Sequence, residues 1–169
     1  VPTCLRILDT RLGGLPRGAL IIVAGRPGMG KASFCLTIIF GAASLGFPAA
    51  FVSVESPPKS IMFRIIAAIT GIENRRIHLG KLSELEFPKV AHAKGIFDQL
   101  PIFILDGVRN WEEIKTRLRG LKLAVPNLSL VCIDYLGLIN NGGSYPERYR
   151  EIGAITADCK TIAVELDIA

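Results

Sequence analysis

The stretch Gly25-Arg-Pro-Gly-Met-Gly-Lys31 constrains this chain more than any other part of its sequence. It lies between an apolar run, residues 19–24, and a helical pattern that begins near Lys31. Glycines at a strand-to-helix turn let backbone N–H groups point inward, and the helix N-terminus adds positive potential there. The stretch therefore predicts a loop that cradles phosphate groups; the alternative is a glycine-rich turn with a solvent-exposed lysine. The predicted nucleotide-binding residues are Gly25, Arg26, Pro27, Gly28, Met29, Gly30, Lys31, Ala32 and Ser33.

Ala32 stands where the phosphate-loop pattern G-x-x-x-x-G-K-[ST] requires a hydroxyl side chain. That hydroxyl normally holds Mg²⁺, whereas Lys31 is expected to act in catalysis by reaching the outer phosphates. Ser33 is the next hydroxyl along, but one helical step turns its side chain about 100° away from position 32. The sequence therefore predicts nucleotide binding with weakened Mg²⁺ binding and slow turnover.

Apolar runs alternate with helical patterns, which predicts an α/β fold with a mostly parallel sheet flanked by helices. The predicted strands are residues 19–24, 49–54, 101–105 and 129–133. Helices are predicted from Lys31 to Leu45, after Ser56, from Ser83 to Gln99, after Asn110, and over 152–166. With 169 residues, 50% hydrophobic and 21% charged, the chain has the size and composition of one globular domain, residues 1–169.

Two acidic residues come directly after predicted strands. Glu55 follows the second strand, and Asp134 follows the fourth. Because ligands of open parallel sheets bind at the carboxyl ends of the strands, both carboxylates are expected near the phosphate loop. We predict that Asp134 holds Mg²⁺ through water and that Glu55 takes a proton from the attacking water. The alternatives are a turn cap for Asp134 and a solvent-facing charge for Glu55.

Charge and cysteine content are weaker guides to function than the motifs above. The net charge of +5 is compatible with a polyanionic partner or with an ordinary basic domain. The four cysteines form no C-x-x-C pair, which favours buried free thiols in a reducing compartment. The sequence shows no basic leader and no apolar run long enough to span a membrane, so we expect a cytoplasmic protein.

These residues together resemble the C-terminal ATPase domain of DnaB-like replicative helicases, a branch of the RecA-type ATPases, over nearly the whole chain. Leu8-Asp9 and Gly13-Gly14-Leu15 match the family's lead-in to the phosphate loop. Val52-Ser-Val-Glu55 stands where the family carries its catalytic glutamate, and Ile133-Asp-Tyr-Leu136 matches its Walker B segment. The resemblance implies a RecA-like P-loop fold and a homo-hexameric ring that hydrolyses ATP with Mg²⁺ and moves along single-stranded DNA.

The sequence also departs from this family. Ala32 replaces the usual Thr or Ser, and Cys4 replaces a usual glycine. In the family, a further strand normally lies between the phosphate-loop strand and the Walker B strand, and its sequence would come after Ala169. Without that strand, two neighbouring strands would expose unpaired backbone groups. We therefore expect either a C-terminally incomplete domain or a chain that borrows a strand from elsewhere.

Two other functions remain open from the sequence. One is a nucleotide-binding helicase-like accessory module whose catalysis is weakened by Ala32, and the other is a RecA/RadA-type recombination ATPase. The glycine-rich loop at residues 140–144, with Arg148 and Arg150 beyond it, could contact a nucleic-acid backbone or be an ordinary surface loop. No residue that would select ATP over GTP or dTTP is identifiable.

Overall fold

A computed structural model describes residues 1–142 and 147–169 of the chain. Short parallel strands alternate with helices, as the sequence predicts for an α/β fold. The elements are α1 (Arg6–Leu12), α2 (Lys31–Ser44), β1 (Ala49–Ser53), α3 (Pro58–Thr70), α4 (Asn74–His78), α5 (Glu86–Gln99), β2 (Ile102–Asp106), α6 (Trp111–Ala124), β3 (Leu130–Asp134), a 3₁₀ turn (Leu136–Leu138) and α7 (Arg148–Glu165).

The described strands form one three-stranded parallel sheet in the order β2-β1-β3. The register aligns Ser53 of β1 with Asp106 of β2 and with Asp134 of β3. All three strands therefore end at the same edge of the sheet. In parallel sheets that edge is where ligands bind.

The central strand β1 is buried along its whole length because helices cover both faces of the sheet. Ala50 and Val52 pack in a cluster with α6 and α7, which includes the fully buried Trp111. Ala49 and Phe51 point to the opposite face and pack with α2 and α3. Trp111 is thus a central residue of the core on this face of the sheet.

Helix boundaries follow local signals in the sequence. The Asn110 side chain accepts a hydrogen bond from the Glu113 N–H at 3.2 Å, which is the predicted N-cap of α6. The Glu86 carboxylate accepts from the Ser83 N–H at 2.8 Å, which is one half of a capping box at the start of α5. Helices α1 and α4 were not predicted, since they are short, with 7 and 5 residues.

The prediction of a strand over residues 19–24 is wrong for this structure. These residues have no strand conformation, and Ile21, Ile22 and Val23 are 43%, 65% and 39% exposed. The physical reason is pairing: apolar sequence favours a strand, but a strand also needs a neighbour to satisfy its backbone groups. Among the described residues, the backbone of residues 20–24 has no hydrogen-bond partner.

Residues 168 and 169 lie beside β3 and also contact the segment before the phosphate loop. Ala169 donates to the Ser129 carbonyl at 2.9 Å and accepts from the Val131 N–H at 2.8 Å, which starts a parallel pairing beside β3. On the other side, the Gly18 N–H donates to the Ile168 carbonyl at 2.8 Å. Ile168 and Ala169 thus lie between β3 and the lead-in to the phosphate loop, and they bridge only its first residues.

All four cysteines are free thiols. Cys159 is buried, as predicted, whereas Cys35 and Cys132 are only half-buried. Cys4 is exposed, so the prediction of burial is wrong for this residue.

Candidate functional site

The predicted phosphate loop forms a tight turn that leads into helix α2. Gly28 and Gly30 have φ angles of +79° and +84°, a left-handed conformation that side chains with a Cβ rarely adopt. Gly30 is the N-cap of α2, and it has no side chain that could occupy the first N–H groups of the helix. The start of α2 therefore presents backbone donors and positive potential, as an anion site requires.

Lys31 bends back over this loop. Its ammonium nitrogen Nζ donates to the carbonyl of Gly25 at 3.0 Å and to that of Arg26 at 3.2 Å. The positive charge is thereby held above the turn, close to the N–H groups that begin α2. A phosphate bound at this helix start would meet both the backbone donors and the lysine.

Ala32 and Ser33 occupy the next positions of the first turn of α2. Ala32 is half-buried and Ser33 is exposed. The methyl group of Ala32 offers no ligand to a cation, so this position of the loop cannot supply a metal bond.

Asp134 is the last residue of β3 and lies at the carboxyl edge of the sheet. Its backbone carbonyl accepts from the Val54 N–H at 2.9 Å, which ties the end of β3 to the segment that follows β1. Burial raises the pKa of the Asp134 carboxyl above its ordinary value, and the negative charge of Glu55 raises it further. Arg64 and Lys31 act in the opposite direction, so all three charged side chains lie within electrostatic reach of Asp134.

Glu55 sits on the turn that follows β1, and its side chain is exposed. The buried hydroxyl of Ser53 shapes this turn, since it donates to the Ser56 carbonyl at 2.5 Å and accepts from the Ser56 N–H at 3.2 Å. Such a closed pair of hydrogen bonds holds the backbone around Glu55. The carboxylate is thus presented at the same edge of the sheet as Asp134.

The structure adds two residues that sequence reasoning missed. Ser53 fixes the Glu55 turn, and its signal was its place at the end of a strand that is otherwise apolar. Arg64 lies on α3 and acts on the charge of Asp134. It interrupts the apolar stripe of α3, which is the only sequence signal for it.

The predicted nucleic-acid loop, residues 140–144, lies partly outside the described residues, because 143 and 144 are not among them. Arg148 donates to the carbonyls of Gly137 and Ile139 at 2.8 and 2.7 Å and pairs with Glu151. This arginine therefore holds the turn after β3. Arg150 lies 3.8 Å from Glu147 and is largely exposed, so it is the freer of the two cations.

A separate apolar groove lies away from these residues. A groove of about 240 Å³ runs between α3 and α5, lined by Met62, Phe63, Phe87 and Val90 among others. It contains no carboxylate, and it lies apart from the phosphate loop.

Over residues 1–142 and 147–169, no group of three or more His, Cys, Asp or Glu side chains is arranged to hold a metal ion. Within the same residues, no helix is both long and apolar enough to cross a membrane.

Comparison with known proteins identifies the family. The family model described as DnaB-like helicase C terminal domain matches residues 1–169. The chain is 34% identical to the replicative DNA helicase DnaB of Nostoc sp. (strain PCC 7120 / SAG 25.82 / UTEX 2576), covering 99% of this chain and 19% of that protein. It is 32% identical to DnaB of Treponema pallidum (strain Nichols), covering 99% and 39%.

Two solved structures share the fold. One, described as an ATPase domain, matches with a TM-score of 0.92 and 28% identity, covering 99% of this chain and 61% of that one. The other, a DnaB-like replicative helicase described with its interactions with primase, matches with a TM-score of 0.93 and 26% identity, covering 100% and 41%. The chain thus spans well under half the length of the two curated relatives. With its RecA-like architecture and a family match over its full length, this chain belongs to the DnaB-like helicase C-terminal domain family.

Proposed function

We propose that this chain is the ATP-binding part of the motor of a replicative DNA helicase. The observation that carries the proposal is the convergence of Lys31, Glu55 and Asp134 at one edge of the sheet, where the charges of Lys31 and Glu55 both act on the Asp134 carboxyl. A phosphate-binding helix start and two carboxylates at strand ends are the parts that ATP hydrolysis requires. The family match supports the same conclusion.

Each residue has a distinct role in this proposal. The N–H groups that begin α2 and the Lys31 ammonium bind the phosphates of ATP and balance their negative charge. Glu55 accepts a proton from the water that attacks the terminal phosphate. Asp134 binds a water molecule at the metal position, and Arg64 favours the ionised form of that carboxylate.

The site fits Mg²⁺ in a restricted way. Mg²⁺ keeps several water ligands and commonly uses only one or two carboxylates together with substrate phosphates. Asp134 is a suitable carboxylate, whereas Ala32 contributes nothing. When bound, the ion would neutralise charge that develops on the phosphates. The protein contribution to its binding is weaker than with Thr or Ser at position 32.

The wider assembly is part of the same proposal. Curated relatives with this domain are named replicative DNA helicases. We infer that the parent protein acts as a homo-hexamer on single-stranded DNA in the cytoplasm, with Arg150 as the better candidate for a phosphate contact. Arg148 is already engaged by backbone carbonyls.

Ala32 favours a second candidate function, a nucleotide-binding accessory module with little turnover. Both candidates predict ATP binding, and they differ in hydrolysis. Glu55 and Asp134 favour the motor, because a module released from catalysis has no need of both acids. A RecA/RadA-type recombination ATPase gains no support from the family match.

Binding is tested first, with a fluorescent ATP analogue. Lys31→Ala should weaken binding by about tenfold to a hundredfold, because it removes a charge-assisted contact with phosphate. Lys59→Ala is the matched control, since Lys59 is an exposed lysine on α3 outside the loop. Equal affinities for the two variants would contradict the proposed phosphate site.

Hydrolysis then separates the two candidates. Ala32→Thr restores a hydroxyl that can bind Mg²⁺ and should raise steady-state ATP turnover severalfold. Ala32→Val introduces a side chain of nearly the same shape as Thr but without the hydroxyl, so it should not raise turnover. Glu55→Gln should lower any turnover by about a hundredfold or more. If Ala32→Thr and Ala32→Val behaved alike, and Glu55→Gln changed nothing, the accessory-module function would replace the motor.

A further inference from the structure

The first turn of α7 is fastened to the segment that follows β3. The Arg148 guanidinium donates to the carbonyls of Gly137 and Ile139 at 2.8 and 2.7 Å. The Glu151 carboxylate accepts from the Asn141 N–H at 2.7 Å and also pairs with Arg148. This helix end is therefore held in one position relative to the carboxyl edge of the sheet.

The turn between β2 and α6 joins the same region. The Asn140 N–H donates to the Arg109 carbonyl at 2.8 Å, and the Trp111 N–H donates to the Asn140 carbonyl at 2.8 Å. Asn140 lies between Ile139 and Asn141, which both bond to the first turn of α7. Three segments thus form one region, the α7 corner: residues 109–111, 137–141 and 148–151.

Tyr149 projects from the α7 corner into solvent. The residue is 65% exposed, and it belongs to none of the three apolar clusters of the described residues. Its phenolic oxygen accepts from Nε of Arg150 at 3.2 Å, and the guanidinium carbon lies 5.9 Å from the ring centroid. The ring is exposed but already partly ordered, which lowers the entropy cost of binding a partner.

Two cations of the α7 corner keep their positive charge available. Arg109 is exposed and forms no ion pair within residues 1–142 and 147–169. Arg150 faces Glu147 at 3.8 Å, and both side chains are more than half exposed. Because an exposed ion pair of this length contributes little, a polyanion can compete for Arg150. The α7 corner therefore combines an exposed aromatic ring with two accessible cations.

This combination has the chemistry of single-strand binding. Nucleotide bases stack on aromatic rings, and arginine adds a cation–π contribution and a phosphate contact. In a duplex, the neighbouring base pairs cover both faces of each base, so an exposed ring stacks readily only on a base of a single strand. The α7 corner thus fits single-stranded better than double-stranded DNA.

We propose that Tyr149 stacks on a base of single-stranded DNA, while Arg150 and Arg109 contact neighbouring phosphates. The inference rests on the proposed DNA function and adds a base contact to it. Phosphate contacts are indifferent to the bases, whereas a stacked tyrosine makes affinity depend on their presence. Every base has a face that can stack, so the contact needs no particular sequence.

Fluorescence anisotropy with labelled single strands tests the stacking contact. One strand is oligo(dT), and the other has the same number of phosphates but abasic sites in place of the thymidines. Tyr149→Ala should weaken binding of oligo(dT) by about fivefold to a hundredfold, and it should bind the abasic strand as the wild type does. Tyr149→Phe keeps the ring and should restore binding of oligo(dT).

Two further sets of variants separate the ring from the charges. Phe87→Ala is the matched control, since Phe87 is an aromatic residue of similar exposure, 67%, but lies on α5 beside the apolar groove. It should leave both affinities unchanged. Arg109→Ala and Arg150→Ala should weaken binding of both strands, and each should reduce the slope of log affinity against log salt by about 0.7.

The outcomes distinguish the stacking contact from the proposed function. Equal affinities of wild type and Tyr149→Ala for oligo(dT) would overturn the stacking contact and leave the proposed DNA function standing. An equal loss on both strands would also overturn it, since the bases would then not be involved. If the wild-type protein bound neither strand, the DNA part of the proposed function would fail with the inference, while ATP-analogue affinity would still decide the nucleotide part.

Discussion

The candidate site has an acidic half and a phosphate-loop half, and different parts of the fold hold them in place. Asp134 and Glu55 follow strands of a paired sheet, and the central strand β1 is buried at every residue. The phosphate loop follows residues 19–24, which are as apolar as β1. Within the described part of the chain, these residues are not paired with any strand. Ile22 is 65% exposed, whereas Phe51 is 1% exposed.

This difference shows that a strand needs two things: an apolar local sequence and a neighbouring strand that pairs with its backbone. The loop keeps its turn because Gly28, Gly30 and the start of α2 define it locally. The segment beneath the loop would need a paired neighbour to form a strand, and among the described residues only Gly18, just before it, bonds to Ile168. The acidic half of the site is therefore held by the sheet, and the phosphate half by α2.

The largest expected effect is on the free energy of unfolding, and it compares β1 with the unpaired residues 19–24. Phe51→Ala removes a fully buried ring from β1 and should lower the free energy of unfolding by about 3–5 kcal/mol. Ile22→Ala, on the unpaired segment, should change it by less than about 0.5 kcal/mol. Urea denaturation followed by circular dichroism measures both. A large loss for Ile22→Ala would mean that residues 19–24 are packed in solution.

A smaller effect is expected at the turn that carries Glu55. Ser53→Ala leaves the half-buried Ser56 N–H without its partner and should cost about 1–3 kcal/mol of stability. It should also lower ATP turnover, because the position of Glu55 depends on this turn. Ser44→Ala is the control, since Ser44 is exposed and its hydroxyl donates to the Phe40 carbonyl within α2. Equal stability losses in the two variants would show that the Ser53 bond has no special role.

The smallest expected effect concerns the charge on Asp134. Its native pKa is raised, so the native state binds this proton more tightly than the unfolded chain. The resulting stabilisation is complete below the unfolded value near 3.8 and is lost as pH rises through the native pKa. At neutral pH the carboxylate is thus destabilising, and Asp134→Asn should stabilise the protein by no more than about 1 kcal/mol after solvent screening.

Thermal unfolding at several pH values checks this expectation. The advantage of Asp134→Asn should disappear as the pH falls toward 3.8, where the wild-type carboxyl is also neutral. Asp106→Asn is the control, because Asp106 occupies the matching end of β2 and is exposed. If the Asp134→Asn protein is more stable but has lost ATP turnover, the wild-type carboxylate lowers stability in exchange for activity. A destabilised variant would contradict the electrostatic description.

Much of the fold was predictable because its signals are local. The apolar runs before Glu55 and Asp134 identified β1 and β3, and the Asn110 cap identified α6. The phosphate loop was predictable for the same reason, since spacing and residue type define it. Arg64 was not, because its approach to Asp134 depends on how α3 packs against the sheet rather than on its neighbours in the sequence.

The sequence by itself determined the α/β class, the phosphate loop with its missing hydroxyl at Ala32, and the two acids that follow strands. These depend on backbone preferences and residue chemistry over a few positions. Only the tertiary structure decided that residues 19–24 stay unpaired and that Arg64 of α3 lies within electrostatic reach of Asp134. Each of those depends on which segments lie side by side, and hydrogen bonds and packing between distant residues leave no local pattern to read.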